Sequence, residues 1–509
     1  MLAHGNRRLQ ISICRLLDEK KAVLENENPS SGPVHQVVRP ILLKAIMAFK
    51  DKNDREAREF LANNPDVVTI DMLVPDMNGI LRGKQLTREY LPKLYTEGVR
   101  MPGSIYLLDW TGQNIGTLDY GSSDGDPDFL CFPVEGTLAR IDWARRPSAQ
   151  VIASMVDPEG KPHFADPRHI LSSVLNRFKE IGLTPVVAIE YEFYFIDQEA
   201  AANGSIMPAR GRETGWRPGT VNVYGVDELY DFEALLDEIQ QVCKEQGLPA
   251  ETFVKEYATG QYEINLHHTD DALKACDQAI LLERCIKAVA RKHGVIASFM
   301  AKPFSDQAGC GLHIHCSLLD KDGNNVMTGP MDEVTGRPIS ETMRHAVAGL
   351  LTTMREGMAI FAPNANSYRR LRPGTYAPVR GLWGGDNRTV PLRIPGGSEK
   401  AVRIEHRVAG ADANPYLVMA TVLAGIHYGI VNKLTPQPPV AGDGYASEGG
   451  IELPIRWPVA LAAFDESNFL DDYLGAEWCD AFLAARQFEA ENHHFTIHQL
   501  DFDWYLRTA

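Results

Sequence analysis

Val186-Val187-Ala188-Ile189-Glu190-Tyr191-Glu192-Phe193-Tyr194-Phe195-Ile196 is the stretch on which the fold turns. β-Branched and aromatic residues dominate it, which is the composition of a strand. Strand side chains alternate faces with period two, so Glu190 and Glu192 point the same way. Two carboxylates side by side on an otherwise apolar strand repel each other and lose hydration. That is tolerable when they share a cation or a proton. The plain alternative is an edge strand with one wet face, and this pair alone leaves both readings open.

Four further clusters decide between them. Glu256-Tyr257-Ala258-Thr259-Gly260-Gln261-Tyr262-Glu263 carries two more carboxylates. In a straight strand they would face opposite ways, but Gly260 permits a bulge or turn that re-aims one of them. Gly309-Cys310-Gly311-Leu312-His313-Ile314-His315-Cys316-Ser317 places His313 and His315 on one strand face. They stand behind a glycine pair that lets the backbone approach a ligand closely. Arg403-Ile404-Glu405-His406-Arg407 puts Arg403, Glu405 and Arg407 on one face, and Arg369, Arg370, Arg372, Arg380, Arg388 and Arg393 form an arginine-dense region. Each has a bland explanation: a packed histidine, a structural ion-pair ladder, ordinary surface charge. The recurrence of same-face ionisable pairs on apolar strands makes coincidence the weaker account.

Glu190, Glu192, Glu256, Glu263 and Glu405, with one or two histidines, make an oxygen-rich set. Such a set suits Mg²⁺ or Mn²⁺ rather than zinc, and it exceeds the need of one ion, so two or three are expected. Guanidinium forks beside divalent ions are the equipment of phosphoryl transfer, where catalysis is mostly positioning and charge neutralisation. The chain has no P-loop and no kinase motif set, so a nucleotide site here is of another design.

The remaining sequence bounds this reading. At 509 residues the chain is too long for one hydrophobic core. Its formal net charge of −16 argues against non-specific nucleic-acid binding and against an anionic membrane surface. Eight cysteines without a C-x-x-C suit a reduced cytosol, hence a cytoplasmic location. No apolar run is long enough to span a bilayer, and the first residues lack a signal-peptide core.

Residues 1–64 read as an N-terminal extension, with a helical pattern from Leu9 to Leu24 and a charged, helical stretch over 36–64. Residues 65–160 read as a small, mostly β domain. There Val67–Val74 and Ile80–Leu86 form a hairpin about Asp76-Met77-Asn78-Gly79, since Asn-Gly is a strong turn signal. Residues 161–509 read as a larger α+β domain. Helices are expected from Asp166-Pro167 to Gly182, over 231–246 with Asp231 as cap, and over 270–293, 340–361 and 415–431, followed by a Pro/Gly-rich loop over 433–450.

Taken together these motifs resemble the glutamine synthetase family, type I lineage. Glu190-Tyr191-Glu192-Phe193 is similar to its E-x-E-F strand, and Glu256 to Glu263 to its E-x-A-x-G-Q-x-E. Gly309-x-Gly311-Leu312-His313-x-His315-x-Ser317-Leu318 resembles its histidine strand, and Asn366-Ser367-Tyr368-Arg369-Arg370-Leu371-x-Pro373-Gly374 its arginine loop. The resemblance implies an α+β fold, with an N-terminal β-grasp domain and a catalytic domain whose curved antiparallel sheet is flanked by helices. It implies a homododecamer of two stacked hexameric rings, with ATP, glutamate and a nitrogen donor as substrates. By position, Glu192, Glu256 and Glu263 would hold one metal, and Glu190, His313 and Glu405 a second. His315, Ser317, Arg393 and Arg403 would serve ATP, with Arg388 on the phosphate being transferred. Gly309, Arg370 and Arg407 would hold glutamate, and Asp76 would reach a neighbouring subunit and bind the amine.

Two departures from the family pattern carry weight. The residue two beyond Pro373-Gly374, where the family has a glutamate that takes a proton from ammonium, is Tyr376. A phenol is a poor substitute for that anion. The family asparagine just before Gly309 is Ala308. Both changes resemble the branch that joins glutamate to a polyamine or alkylamine. A glutamine synthetase using ammonia, and a catalytically inactive homologue kept for structure or regulation, are the alternatives. Six retained metal-type side chains speak against the latter.

Overall fold

Asn78-Gly79 turns the chain as its composition requires: Gly79 adopts φ +77°. On either side, Thr69–Pro75 (β1) and Leu81–Thr87 (β2) pair antiparallel, with Ile70 opposite Leu86 and Pro75 opposite Leu81. The computed structural model describes residues 53–509 apart from Thr117, Asp119, Ser122, Pro158 and Pro218. The helix expected from Leu9 to Leu24, and the part of the charged stretch before residue 53, lie outside the described residues. The rest of that stretch forms the helix Arg55–Asn63.

The hairpin belongs to a six-stranded sheet completed by Val99–Pro102 (β3), Asp128–Pro133 (β4), Ala139–Ile141 (β5) and Ser148–Val156 (β6). Its order is β2-β1-β6-β4-β3, with β5 also paired to β6. The β1–β6 pairing is parallel and the others antiparallel.

Thr184–Asp197 (β7) is the centre of a second, eight-stranded sheet. Its alternation is as the sequence reads: Val187, Ile189, Tyr191 and Phe193 are buried, while Val186, Ala188, Glu190 and Glu192 between them are partly open. The apolar face packs Phe193, Phe195, Tyr262, Phe299 and Phe232 ring against ring. Fully burying side chains of this size contributes on the order of 1.5–3 kcal/mol each. The order of the sheet is β12-β13-β14-β11-β7-β9-β8, with β10 also on β7. Here β8 is Ala250–Lys255, β9 Gln261–Leu266, β10 Val295–Ser298, β11 Leu312–Leu319, β12 Trp383–Gly385, β13 Leu392–Ile394 and β14 Ile404–His406. The sheet is not purely antiparallel as expected, because β12 runs parallel to β13. Only six residues separate these two strands, and they return the chain without a helical crossover.

Helices cover the sheet's apolar side. Pro167–Glu180 is capped by Asp166, which accepts from the Arg168 amide, and buries Ile170, Leu171, Val174 and Phe178. Ala272–Lys292, Glu341–Phe361 and Pro415–Val431 start at Asp271, Ser340 and Asn414, whose side chains cap them. The helix Glu233–Glu245 departs from expectation. Asp231 does not cap it; its carboxylate accepts from the Thr214 hydroxyl at 2.8 Å instead. Beyond the loop over 433–450 the structure adds Trp457–Asp465, Ala476–Phe495 and Gln499–Tyr505, helices the sequence reading left unassigned. No described helix is long and apolar enough to cross a membrane.

Candidate active site

Strand register assembles the ionisable residues into one field. Glu190 lies opposite His313 on β11 and opposite Asn265 on β9. Glu192 lies opposite Glu263. His315 lies opposite Glu405 on β14, and Glu405 opposite Arg393 on β13. Directly opposed residues share a face, so one sheet face carries Glu190, Glu192, Glu263, His313, His315, Glu405 and Arg393. Glu256 joins them through a tight turn. Gly260 takes φ +75° and the Glu256 amide donates to the Gln261 carbonyl at 2.9 Å, which turns β8 back into β9.

Within this field His313 Nδ1 is 3.2 Å from Glu190 Oε2, and His315 Nε2 is 2.8 Å from Glu190 Oε1. Two overlapping trios bring ligand-type atoms within 4.8 Å of one another: Glu190 with Glu263 and His313, and Glu190 with His315 and Glu405. This grouping differs from the one the family resemblance implies, because Glu190 is common to both and Glu263 sits with His313. The second trio is the poorer cation cradle. Arg403 Nε donates to His315 Nδ1 at 3.0 Å. With Nδ1 accepting from Arg403, Nε2 is the ring nitrogen that faces Glu190, so one edge of the ring is already taken by a cation. Glu405 is flanked by Arg393 at 2.6 Å and by Arg407, an ion-pair ladder along the strand face.

Electrostatics follow from burial. Burial pushes the Glu192 carboxyl up to about 7, and the nearby Glu256 charge adds to the effect. Burial and the charges of Glu190, Glu192 and Glu256 hold Glu263 well above the usual carboxylate range. Burial pushes His313 down to about 4, leaving a neutral imidazole. Burial would raise Glu405 too, but the Arg407 guanidinium beside it outweighs that and holds the carboxyl at about 2. Glu192 and Glu263, carboxyls that hold their protons, beside a neutral imidazole and the ionised Glu190, are a donor set suited to a divalent cation.

Arg370 runs beneath this face. A Cβ on Gly309 would come 2.7 Å from Arg370 Cγ, and one on Gly311 2.8 Å from its Nη2. The Ala301 carbonyl and His313 Nε2 come closer still, each at 2.6 Å, so the glycine pair makes room for the protein's own backbone, imidazole and arginine. Arg370 Nη1 donates to the Val408 carbonyl at 2.8 Å. Its Nη2 donates to the Arg407 carbonyl at 3.3 Å, and among the described residues it has no carboxylate ion-pair partner; Arg407 is paired with Glu405, with its Nε left buried without an acceptor. Buried guanidinium groups in that condition favour an anionic ligand.

A cavity of about 870 Å³ opens beside the field, lined by Glu190, His315, Ser317, Lys400 and Arg403 among others. That is ample for a nucleotide. A larger cleft, about 1100 Å³, runs between the Asn78-Gly79 turn and the helix Ala272–Lys292 and touches none of the clustered carboxylates. Arg388 is exposed, 3.5 Å from the Tyr224 hydroxyl. Arg393 does not line the cavity and is held by Asp386 and Glu405. Tyr376 is 58% exposed with φ +55°. Asp76 is not among the residues brought together. Its carboxylate is fully buried, accepting from the Asn78 and Ile80 amides and from Arg82 Nε at 2.9 Å. The sequence reading passed over Gln261, whose side chain bridges Glu192 and the Gly309 carbonyl. Its signal was present, as the Gln of E-x-A-x-G-Q-x-E.

A sheet face that gathers carboxylates and imidazoles, next to a buried arginine with no carboxylate partner and a nucleotide-sized cavity, defines a class of enzyme built to manage clustered negative charge. The family model for the glutamine synthetase catalytic domain matches residues 164–505, and the chain belongs to the glutamine synthetase family. It is 39% identical to gamma-glutamylputrescine synthetase PuuA of Escherichia coli (strain K12), across 89% of this chain and 95% of that protein. It is 31% identical to glutamate–isopropylamine ligase of a Pseudomonas species, across 89% and 97%. The fold superposes on a solved GmaS/ADP complex with TM-score 0.76 at 26% identity, covering 88% of this chain and 98% of the other.

Proposed function

We propose that this chain is an ATP-dependent ligase that joins the γ-carboxylate of glutamate to a primary amine, a polyamine or alkylamine, releasing ADP and phosphate. The observation that carries the reading is the Glu190, Glu263 and His313 cluster, with Glu192 opposite Glu263 on the same sheet face, set near Arg370, which has no carboxylate ion-pair partner among the described residues. Similarity to enzymes named for putrescine and isopropylamine, and a tyrosine at position 376, favour an amine over ammonia.

Glu190, Glu192, Glu256, Glu263 and His313 would hold two or three Mg²⁺ or Mn²⁺ ions, with Glu405 at the margin of the set. Bound there, the ions would neutralise phosphate charge during transfer. His315, Ser317 and Arg403 would line the ATP site, with Arg393 fixing Glu405. Arg370 and Arg407 would anchor the glutamate carboxylates against Gly309, and Arg388 would meet the phosphoryl group. The γ-phosphoryl moves from ATP to the glutamate γ-carboxylate. The amine nitrogen then attacks the acyl carbon, phosphate leaves, and the nitrogen gives up its proton. The reading divides the chain into an extension over 1–64, a β-grasp domain over 65–160 and a catalytic domain over 161–509.

A dodecamer of two hexameric rings is part of the same reading. The exposed Phe495, Ile497, Leu500, Phe502, Trp504 and Leu506 at the C-terminal end suit burial against other copies. In such an assembly Asp76 would reach a neighbouring amine site only by opening its contact with Arg82.

Steady-state ADP release with glutamate and a panel of amines tests the reading. We expect kcat/KM for a primary alkylamine or polyamine to exceed that for ammonium by at least about tenfold, some 1.4 kcal/mol. If ammonium is the best donor, the amine assignment fails.

A second test is pH. A cation and a proton compete for the same carboxylate oxygens. Glu192 is raised to about 7, so Mg²⁺ affinity should weaken as pH falls through that value. The expected slope is roughly tenfold per pH unit for each proton displaced. Calorimetric titration on either side of neutrality measures it, and an affinity flat across that range would remove Glu192 from the ligand set.

A further inference from the structure

The stretch 433–450, Pro/Gly-rich in sequence, is strapped along the segment that joins Tyr376 to Arg388. Trp383 Nε1 donates to the Gln437 carbonyl at 2.7 Å, and Gln437 Nε2 donates to the Gly381 carbonyl at 2.9 Å. Asn387 Nδ2 donates to the Gly442 carbonyl at 2.7 Å, and the Gly444 amide donates to Thr389 Oγ1 at 2.7 Å. Asp443 closes the local turn by accepting from the Tyr445 amide at 2.9 Å. These bonds deliver Tyr445, half-buried, to the turn that bears Tyr376, where its hydroxyl donates to the Ala377 carbonyl at 3.0 Å.

The turn needs such a clamp. Tyr376 sits at φ +55°, a backbone region that a bulky L-residue occupies only when its surroundings over-determine it. On one side of it the Thr375 hydroxyl donates to the Arg372 carbonyl at 2.7 Å. On the other side Ala377 is buried and its carbonyl is held by Tyr445. Burial pushes the Tyr445 phenol up to about 12 against the opposing pull of Arg370 and Arg407, so the hydroxyl keeps its proton and acts as a donor. The same turn is tied to Arg370, whose carbonyl accepts from the Thr375 hydroxyl at 3.3 Å, so Tyr445 clamps a turn that adjoins an arginine assigned to glutamate.

We propose that Tyr445 is a positioning residue of the amine subsite: by holding the Ala377 carbonyl it fixes the strained Tyr376 turn and so sets which nitrogen donors are accepted. The identity of the donor rests on the amine-ligase reading; the coupling between the two tyrosines does not.

A double-mutant cycle tests it. KM and kcat are measured with propylamine and with ammonium for the wild type, Tyr445→Phe, Tyr376→Ala and the double variant, with thermal melts confirming that each is folded. Tyr445→Phe keeps the ring and deletes only the hydroxyl. Its propylamine KM should rise roughly fivefold, the loss of one hydrogen bond, while the KM for ATP and for glutamate stays put. In the Tyr376→Ala background the same substitution should change the amine KM by less than about twofold, because the residue it positions is gone. Additive effects, or a rise in the ATP or glutamate KM equal to that of the amine, overturn the proposal. A wild type that prefers ammonium would sink the amine-ligase reading instead, and the coupling would then be read from the ammonium KM.

Discussion

Glu190→Ala is expected to lower glutamate-dependent ATP turnover by about three orders of magnitude or more, with the protein still folded. Glu190 is the only residue common to both trios of ligand-type atoms, and it faces His313 and His315 at once. Its removal takes away a charge and the group that orients two imidazoles. The structural cost should be small. Glu190 is partly open on the polar face of the sheet, so its truncation leaves no void in the aromatic core beneath. Truncations without a cavity cost about 1 kcal/mol. Removing one member of a crowded, repelling carboxylate group also relieves some strain. Circular dichroism melts separate the two effects, and the ADP assay at saturating Mg²⁺ reads turnover. Glu190→Gln is the discriminating control. It keeps the shape and a hydrogen-bonding oxygen but drops the charge, so a positioning role would survive and a cation-holding role would not. Near-native turnover in both variants would remove Glu190 from the site.

The sheet face was legible in the sequence because period-two alternation is local. Glu190 and Glu192, and His313 and His315, needed no knowledge of partners to be placed on a common face. The pairing of that face was not legible. That Glu192 stands opposite Glu263, and that Glu190 bridges two histidines, depends on the register between strands far apart in sequence. The same limit explains why Gly309 and Gly311 read as room for a ligand when the space is taken by the Ala301 carbonyl, the His313 ring and the Arg370 side chain. Local composition also misled at Asp231, a good cap that found the Thr214 hydroxyl before the helix began. The stretch 433–450 reads only as a Pro/Gly-rich loop because proline and glycine do not announce hydrogen bonds to a distant segment. Tyr445 was therefore passed over.

Tyr376→Glu is expected to move the preference between nitrogen donors towards ammonium by at least about tenfold in the ratio of kcat/KM values. Both donors arrive charged, so the question is what each gains at the turn. An alkylammonium can lay its chain on the exposed phenol ring, and each methylene removed from water contributes roughly 0.8 kcal/mol. A cation over the ring face adds about 0.5–2 kcal/mol. Ammonium has no chain and gains only the second part. A carboxylate at the same place reverses the balance: it attracts either cation, offers no apolar surface and can take the proton that ammonium must lose. The substitution does not change the backbone problem, since glutamate meets the same left-handed φ that tyrosine does. Tyr376→Phe separates ring from hydroxyl and should keep the wild-type preference. A Tyr376→Glu variant with an unaltered donor ratio would show that the ring does not face the amine, and selectivity would then have to come from another wall of the site.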